Sequence, residues 1–303
     1  YREEIERAME ANKLPKGSFE PLMTIYLTDE TTPEDIRLAK ASGIVFAAKL
    51  YPANATTNSA KGVTDIRKLA PVFEAMQEVG LVLCIHGETL VSKEHGDKTR
   101  DGKVGQLRRE AVFLKESLSW IVETFTRLRV VLEHISTKEA VEFVLNARAG
   151  VAATITAHHL LETLDAVFES HHNKCMPILK EEEHRQALRK AATSGNPKFF
   201  IGTDLAPHSK SAKDTDCGCS GCYTGHCAIE LYTTVFEEED ALDKLEGFLS
   251  HFGPDFYGLP RNTEKITLKR DPFLIPLTLP YGENEKLVPF WAGKTIPWRL
   301  VTT

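Results

Sequence analysis

The sequence predicts an α/β fold: a TIM-type (β/α)8 barrel in which about six of the eight strands are present. Three observations predict it. Apolar, β-rich runs alternate with helix-patterned segments along the 303 residues, which implies parallel β-α-β units. Lys49, His86, His134, His158 and Asp204 all fall at the C-terminal ends of those runs, where barrel enzymes keep their sites. No glycine-rich phosphate loop follows any strand, as an open nucleotide-binding sheet would require. A closed barrel needs eight strands, so at about 30 residues per unit roughly 60 more are expected upstream. The chain opens inside a helical pattern and without Met, in keeping with that expectation.

The elements follow in order. Tyr1 to Lys13 is the end of a helix, with Ile5 and Met9 on one face, broken by Pro15 and Gly17. The first strand is 19–27. Thr32-Pro33-Glu34-Asp35 opens a helix that runs to Ala41, with threonine as N-cap and Pro in the first turn. The second strand, 43–50, is apolar except at Lys49, and Pro52 ends it. A polar loop with Asn54, Thr56, Thr57 and Asn58 follows, suited to closing over a ligand. Asp65 to Val79 is a helix with Ile66, Leu69, Phe73 and Met76 at helical spacing and Gly80 as its cap. Strand 81–87 leads into His86-Gly87-Glu88. After a polar connection from Ser92 to Gly105, Gln106 to Arg127 reads as one long helix. Strand 129–135 carries His134, and Ser136-Thr137 caps a helix from Lys138 to Arg148. Strand 151–156 runs on into Ala157-His158-His159-Leu160, and Glu181 to Ser194 is a helix. Strand 198–204 ends in Asp204, and His226 to Leu249 is helical. The whole is one barrel domain over 1–303, with a Pro-rich C-terminal tail at about 252–303.

Composition is globular: 42% hydrophobic and 26% charged, with a formal net charge of -6. That balance gives no electrostatic case for nucleic acid or an anionic membrane surface. No apolar run approaches the roughly 20 residues of a membrane span, and no secretory signal is present, so the expected setting is the cytoplasm. Cys84 lies in an apolar strand as a small buried hydrophobe, and the cysteine usage fits a reducing compartment.

The strand-end residues suggest a metal. Taken alone, Lys49 would solvate its head at the strand end. His86, His134 and Asp204 together supply two imidazoles and a carboxylate, a common catalytic zinc set with an open coordination position. An ammonium is repelled by such an ion. Carbamylated by carbon dioxide, Lys49 becomes a carboxylate able to bridge two metals about 3.5–4 Å apart.

The segments KLYPANATTNS (Lys49 to Ser59), IHGE (Ile85 to Glu88), EHIST (Glu133 to Thr137), GTDLAPH (Gly202 to His208), CGCSGC (Cys217 to Cys222) and GPDFYGLP (Gly253 to Pro260) occur in that order. On these motifs the chain resembles the dihydroorotase family of the amidohydrolase superfamily, in its single-function bacterial and plant type. The resemblance implies a zinc-dependent cyclic amide hydrolase interconverting dihydroorotate and N-carbamoyl-L-aspartate in pyrimidine synthesis. It implies two zincs per site bridged by carboxylated Lys49, with His86 and His134 on the second ion. Asp204 is then a ligand of the first ion and the general base and acid. His86, His208, Ser220 and the backbone at Met176 are implied substrate contacts, Thr56 and Thr57 the tips of the closing loop, and a homodimer the assembly.

The family opens with a His-x-His strand followed by an arginine, and its second strand carries an asparagine. None of these has a counterpart here, and no His-x-His occurs anywhere in the chain. The first zinc then keeps only Lys49 and Asp204, so residues 1–303 alone are expected to hold no more than one zinc tightly and not to turn over dihydroorotate. Segment His158 to Lys174 also departs from the family pattern. Two other function classes stay open: a hydantoinase-like cyclic amidohydrolase, and a non-catalytic barrel acting as a partner subunit. The cysteine cluster with His226 and Cys227 is read as a loop of reduced thiols in preference to a structural zinc site. Adjacent histidines on a strand point to opposite faces, so neither His158-His159 nor His171-His172 is taken as a ligand pair.

Overall fold

A computed structural model describes residues 1–15, 17–216 and 218–301. Six parallel strands form one sheet in chain order: β1 (Met23–Leu27), β2 (Val45–Leu50), β3 (Val82–His86), β4 (Val130–Glu133), β5 (Val151–Ile155) and β6 (Phe199–Ile201). Each lies inside its expected span. The ends are trimmed because the terminal residues leave the ladder to form the loops that carry the site. β1 and β6 are the two edges of this sheet.

Strand alternation sorts the side chains onto two faces. Ala48, Leu50, Leu83, Ile85, Val130, Leu132, Ala153 and Ile155 point outward into the main core beneath the helices. Ala47, Val82, Cys84, Val131, Ala152 and Phe200 point inward and pack against Phe252, Phe256 and Tyr257. The motif Gly253 to Pro260 therefore plugs the inner face of the curved sheet, and the Cys84 thiol meets the Tyr257 hydroxyl at 3.4 Å. Cys84 is buried, as expected, and burial is the main cause that pushes its thiol up.

Helix ends follow the local chemistry. Thr32 and Asp35 form a reciprocal capping box spanning Pro33, and Gly80 ends its helix with φ 67°, a conformation costly for any residue with a Cβ. Several expectations need correction. The segment expected as one helix, 106–127, is broken by a π-helical turn at Leu114–Leu118, where Ser119 Oγ donates to the Leu114 carbonyl. Likewise 226–249 is not continuous: it breaks after Glu238, and a second π-turn spans Gly247–His251. Residues 157–161 are a short helix capped by Thr156, so His158 and His159 do not continue strand β5. His171–Asn173 is a 3-10 turn, so neither histidine pair lies on a strand.

The C-terminal segment forms one short helix and four short strands among its described residues. After the helix Phe252–Tyr257 come β7 (Thr267–Leu274), β8 (Leu279–Tyr281), β9 (Glu285–Leu287) and β10 (Thr295–Val301). β7 pairs antiparallel with β10 and β8 with β9. Ile275, Phe290 and Ile296 enter the main core, and Leu300 N–H and Trp298 Nε1–H donate to Glu230 and Glu237 of the helix Ala228–Glu238. Among the described residues no helix is long and apolar enough to cross a membrane.

Candidate active site

The inward parity of each strand continues into its last residues. Following Ala47 comes Lys49; following Cys84 comes His86; following Val131 comes Glu133; following Ala152 comes Thr154; following Phe200 come Gly202 and Asp204. The site is the polar upper layer of an otherwise apolar inner face. His134 is out of phase with this pattern and would point outward on a regular strand. Its φ is +45°, in the left-handed region, and this turns the ring inward to 4.8 Å from the His86 ring. Asp204 has the same φ of +45°. Such strain at non-glycine residues costs on the order of 1–3 kcal/mol each and needs surrounding support.

Part of that support is visible. Thr154 Oγ1 accepts the His134 backbone N–H at 2.8 Å. Gly202 makes room for Thr154: a Cβ there would sit 2.4 Å from Thr154 Cβ. On the other side, buried Glu110 accepts the Ser136 N–H at 3.0 Å and the Ser136 and Thr137 hydroxyls, fixing the turn that leaves His134.

Lys49 Nζ forms an ion pair with Glu133 and lies 4.5 Å from the centre of the Tyr51 ring. Burial works to lower its pKa, but the Glu133 carboxylate outweighs this and holds the ammonium above its ordinary value. His86 Nε2 pairs with Glu88 at 2.9 Å, and Glu88 is fully buried. Burial, then the nearby Lys49 and His86, push His134 well below the usual imidazole range, so it is neutral. Burial raises the Asp204 carboxyl, opposed by Lys49 and His86.

These residues fit a metal. The His134 Nδ1 atom is buried without a hydrogen-bond partner, and a neutral imidazole offers a lone pair. The buried carboxylate on His86 Nε2 is the orienting partner that metal-bound histidines commonly have, leaving Nδ1 as the donor. The donor atoms of His86, His134 and Asp204 are not drawn within 4.8 Å of one another among the described residues. Glu133, which the sequence reading missed, occupies Lys49 instead. Its signal was the period of two: Glu133 shares the phase of Val131, and His134 does not.

Three of the expected substrate contacts, His208, Ser220 and Thr57, meet one another. His208 Nε2 lies 3.1 Å from the Ser220 carbonyl, and the Ser220 N–H donates to Thr57 Oγ1 at 3.0 Å, so the two loops touch. The Gly221 N–H donates to the Lys174 carbonyl at 2.9 Å, seating the loop on the segment that leads to half-buried Met176. Thr56 braces its own loop through Ser59. A cavity of about 1040 Å³ lined by Pro52, Asn54, Glu88, Thr89 and Phe113 opens beside the set, whereas the larger one, about 1220 Å³, lies on the outer helical face around Arg108 and Glu142. His158 is fully buried beside His159, with both its ring nitrogens unpartnered, rather than at a strand end facing the layer. Cys219, Cys222 and Cys227 are free thiols and do not gather with His226 into a donor group; Cys217 lies outside the described residues.

A lysine, imidazoles and carboxylates on the inner face at the carboxyl ends of parallel barrel strands define a hydrolase of the metal-using barrel class. The sequence profile of the amidohydrolase family matches residues 3–295. A dihydroorotase of a Picosynechococcus strain is 57% identical over 288 residues, covering 94% of this chain and 80% of the relative. A crystal structure of Saccharomyces cerevisiae dihydroorotase in complex with 5-fluoroorotic acid superposes with a TM-score of 0.86 at 36% identity, over 98% of this chain and 85% of that one. A Campylobacter jejuni dihydroorotase gives 0.83 at 31% identity, over 98% and 82%. The chain belongs to the amidohydrolase family and, within it, to the dihydroorotases.

Proposed function

We propose that this protein interconverts dihydroorotate and N-carbamoyl-L-aspartate in pyrimidine synthesis, by metal-assisted hydrolysis of a cyclic amide. The observation that carries the substrate assignment is the 57% identity to a dihydroorotase across nearly the whole chain. The inward-facing strand-end set supports the chemistry. In this reading Lys49, as a carboxylated lysine, His86, His134 and Asp204 would hold zinc, two ions per site. When bound there, zinc would supply a water acidified to a pKa of about 7 and polarise the amide carbonyl.

Asp204 takes the proton of the attacking water as the oxygen bonds to the ring carbonyl carbon. The carbon–nitrogen bond then breaks, and Asp204 returns the proton to the leaving ring nitrogen. Burial, which raises its carboxyl, suits both halves of that exchange. Glu88 holds the His86 ring, and Thr154 and Glu110 hold the turn of His134. Carboxylation would need the neutral amine of Lys49, which pairs with Glu133 in this structure. His208, Ser220 and the Met176 backbone contact substrate, and Thr56 and Thr57 close over it. The same reading includes a cytoplasmic homodimer.

The test is turnover of dihydroorotate, a 5-substituted hydantoin and dihydrouracil by zinc-loaded protein made from its complete reading frame, followed in the ultraviolet. Preference for dihydroorotate is expected. Preferential hydantoin cleavage would replace the substrate assignment, and no turnover of any of the three would favour a non-catalytic partner role.

A further inference from the structure

His171 and His172 lie in a single 3-10 turn, with Ser170 Oγ accepting the His172 N–H at 3.3 Å. Their rings are 4.3 Å apart, although a strand would have sent them to opposite faces. Across from them is Asp214, some forty residues later, at the end of the short helix Lys210–Lys213. Its Oδ1 is 2.7 Å from His171 Nε2 and 3.3 Å from His172 Nε2. One donor atom from each of the three lies within 4.8 Å of the others. The His171 ring is open to solvent, the His172 ring is almost covered, and His172 Nδ1 is buried without a partner.

We propose that His171, His172 and Asp214 form a peripheral binding site for a divalent transition-metal ion of borderline softness, such as zinc, separate from the candidate catalytic set. Two imidazoles and one carboxylate are a donor set that suits zinc and leaves a position for water. Burial and the neighbouring His171 keep His172 below the usual imidazole range, and Lys210 and His171 hold the Asp214 carboxyl down at about 2. The competitor is Lys210, whose ammonium pairs with the other Asp214 oxygen, so an ion binds against that cation. The bound ion would tie together two segments that converge on the proposed substrate site. One is the turn that leads through Lys174 to Met176. The other is the helix end that leads to the Ser220 loop.

The experiment is a calorimetric titration of zinc chloride into protein whose catalytic site is already zinc-loaded. One further equivalent is expected in the wild type. His171→Ala and Asp214→Asn should each remove that equivalent while leaving the tightly held zinc in place. Lys210→Ala should tighten it two- to five-fold, the scale of one exposed ion pair. An extra equivalent that persists in His171→Ala and Asp214→Asn would place it elsewhere, as at the buried group His158, His159 and Cys175, and overturn the proposal. So would the absence of any extra equivalent in both the wild type and Lys210→Ala.

Discussion

Replacing Thr154 with valine tests how the inner layer is built. The two side chains have nearly the same shape, so the change removes one acceptor and little volume. Thr154 is 6% exposed, and its hydroxyl oxygen accepts the His134 N–H at 2.8 Å. Without it a buried amide is left unpaired, at a cost of about 1–3 kcal/mol. The left-handed φ of His134 loses the bond that helps hold it. The ring can then relax toward the outward direction that strand alternation prefers. Groups that orient a metal ligand typically contribute 10–100-fold in metal affinity. Thr154→Val is therefore expected to lower unfolding free energy by about 1–3 kcal/mol, measured by urea denaturation, and to weaken zinc retention against a chelator by about 10–100-fold. Thr154→Ser should restore most of both. Gly202→Ala attacks the same contact from the other side, with its new Cβ only 2.4 Å from Thr154 Cβ, and should move both readouts the same way. A Thr154→Val protein with unchanged stability and zinc retention would refute the reasoning.

Three further outcomes are expected. Asp204→Asn should cost more than the 10²–10⁴-fold typical of losing a general acid–base group, since it also weakens a ligand, while circular dichroism shows a folded chain; a variant retaining near-normal turnover removes Asp204 from the chemistry. Lys49→Ala should lose metal and turnover together, with partial rescue by small carboxylic acids, and failure of every such acid to restore metal binding counts against a carboxylated lysine. Glu110 is a buried carboxyl raised by folding from 4.5 to about 7, chiefly through desolvation. Its contribution to stability is therefore full below pH 4.5 and is lost as pH rises through about 7. The swing is on the order of 3–4 kcal/mol at 1.36 kcal/mol per unit. Urea unfolding at several pH values should show a smaller loss in Glu110→Gln than in wild type across that range, and parallel profiles would contradict the assignment.

The strands were legible because each is a short apolar run bounded by turn residues, and the site because chemistry-bearing residues stand at successive strand ends. Lys49, His86 and Asp204 keep the phase of the inner face, so the period of two places them correctly. His134 breaks that phase, and its inward turn depends on a backbone angle that Thr154 and Glu110 hold from other strands and helices. No local pattern encodes that. Glu133 was legible in principle, one residue earlier and in phase, but its pairing with Lys49 is a contact across 84 positions. The π-turn at Leu114–Leu118 keeps an ordinary helical pattern on either side, which is why the segment reads as continuous. The C-terminal residues read as a Pro-rich tail with short β runs, because their apolar positions are few. Ile275, Phe290 and Ile296 acquire meaning only against helices laid down earlier. The histidine pairs lie where the chain turns, so the alternation of a strand does not describe them.

The central claim is that Lys49, His86, His134 and Asp204 together make a zinc centre that hydrolyses dihydroorotate. It is tested most directly by zinc content and dihydroorotate turnover on the same preparations. These are the protein made from its complete reading frame, its Lys49→Ala variant and its His134→Ala variant, all carrying His171→Ala so that the peripheral site contributes nothing. The account predicts that each variant loses tightly bound zinc and turnover together. A Lys49→Ala or His134→Ala protein that keeps its zinc and still opens the dihydroorotate ring would contradict it.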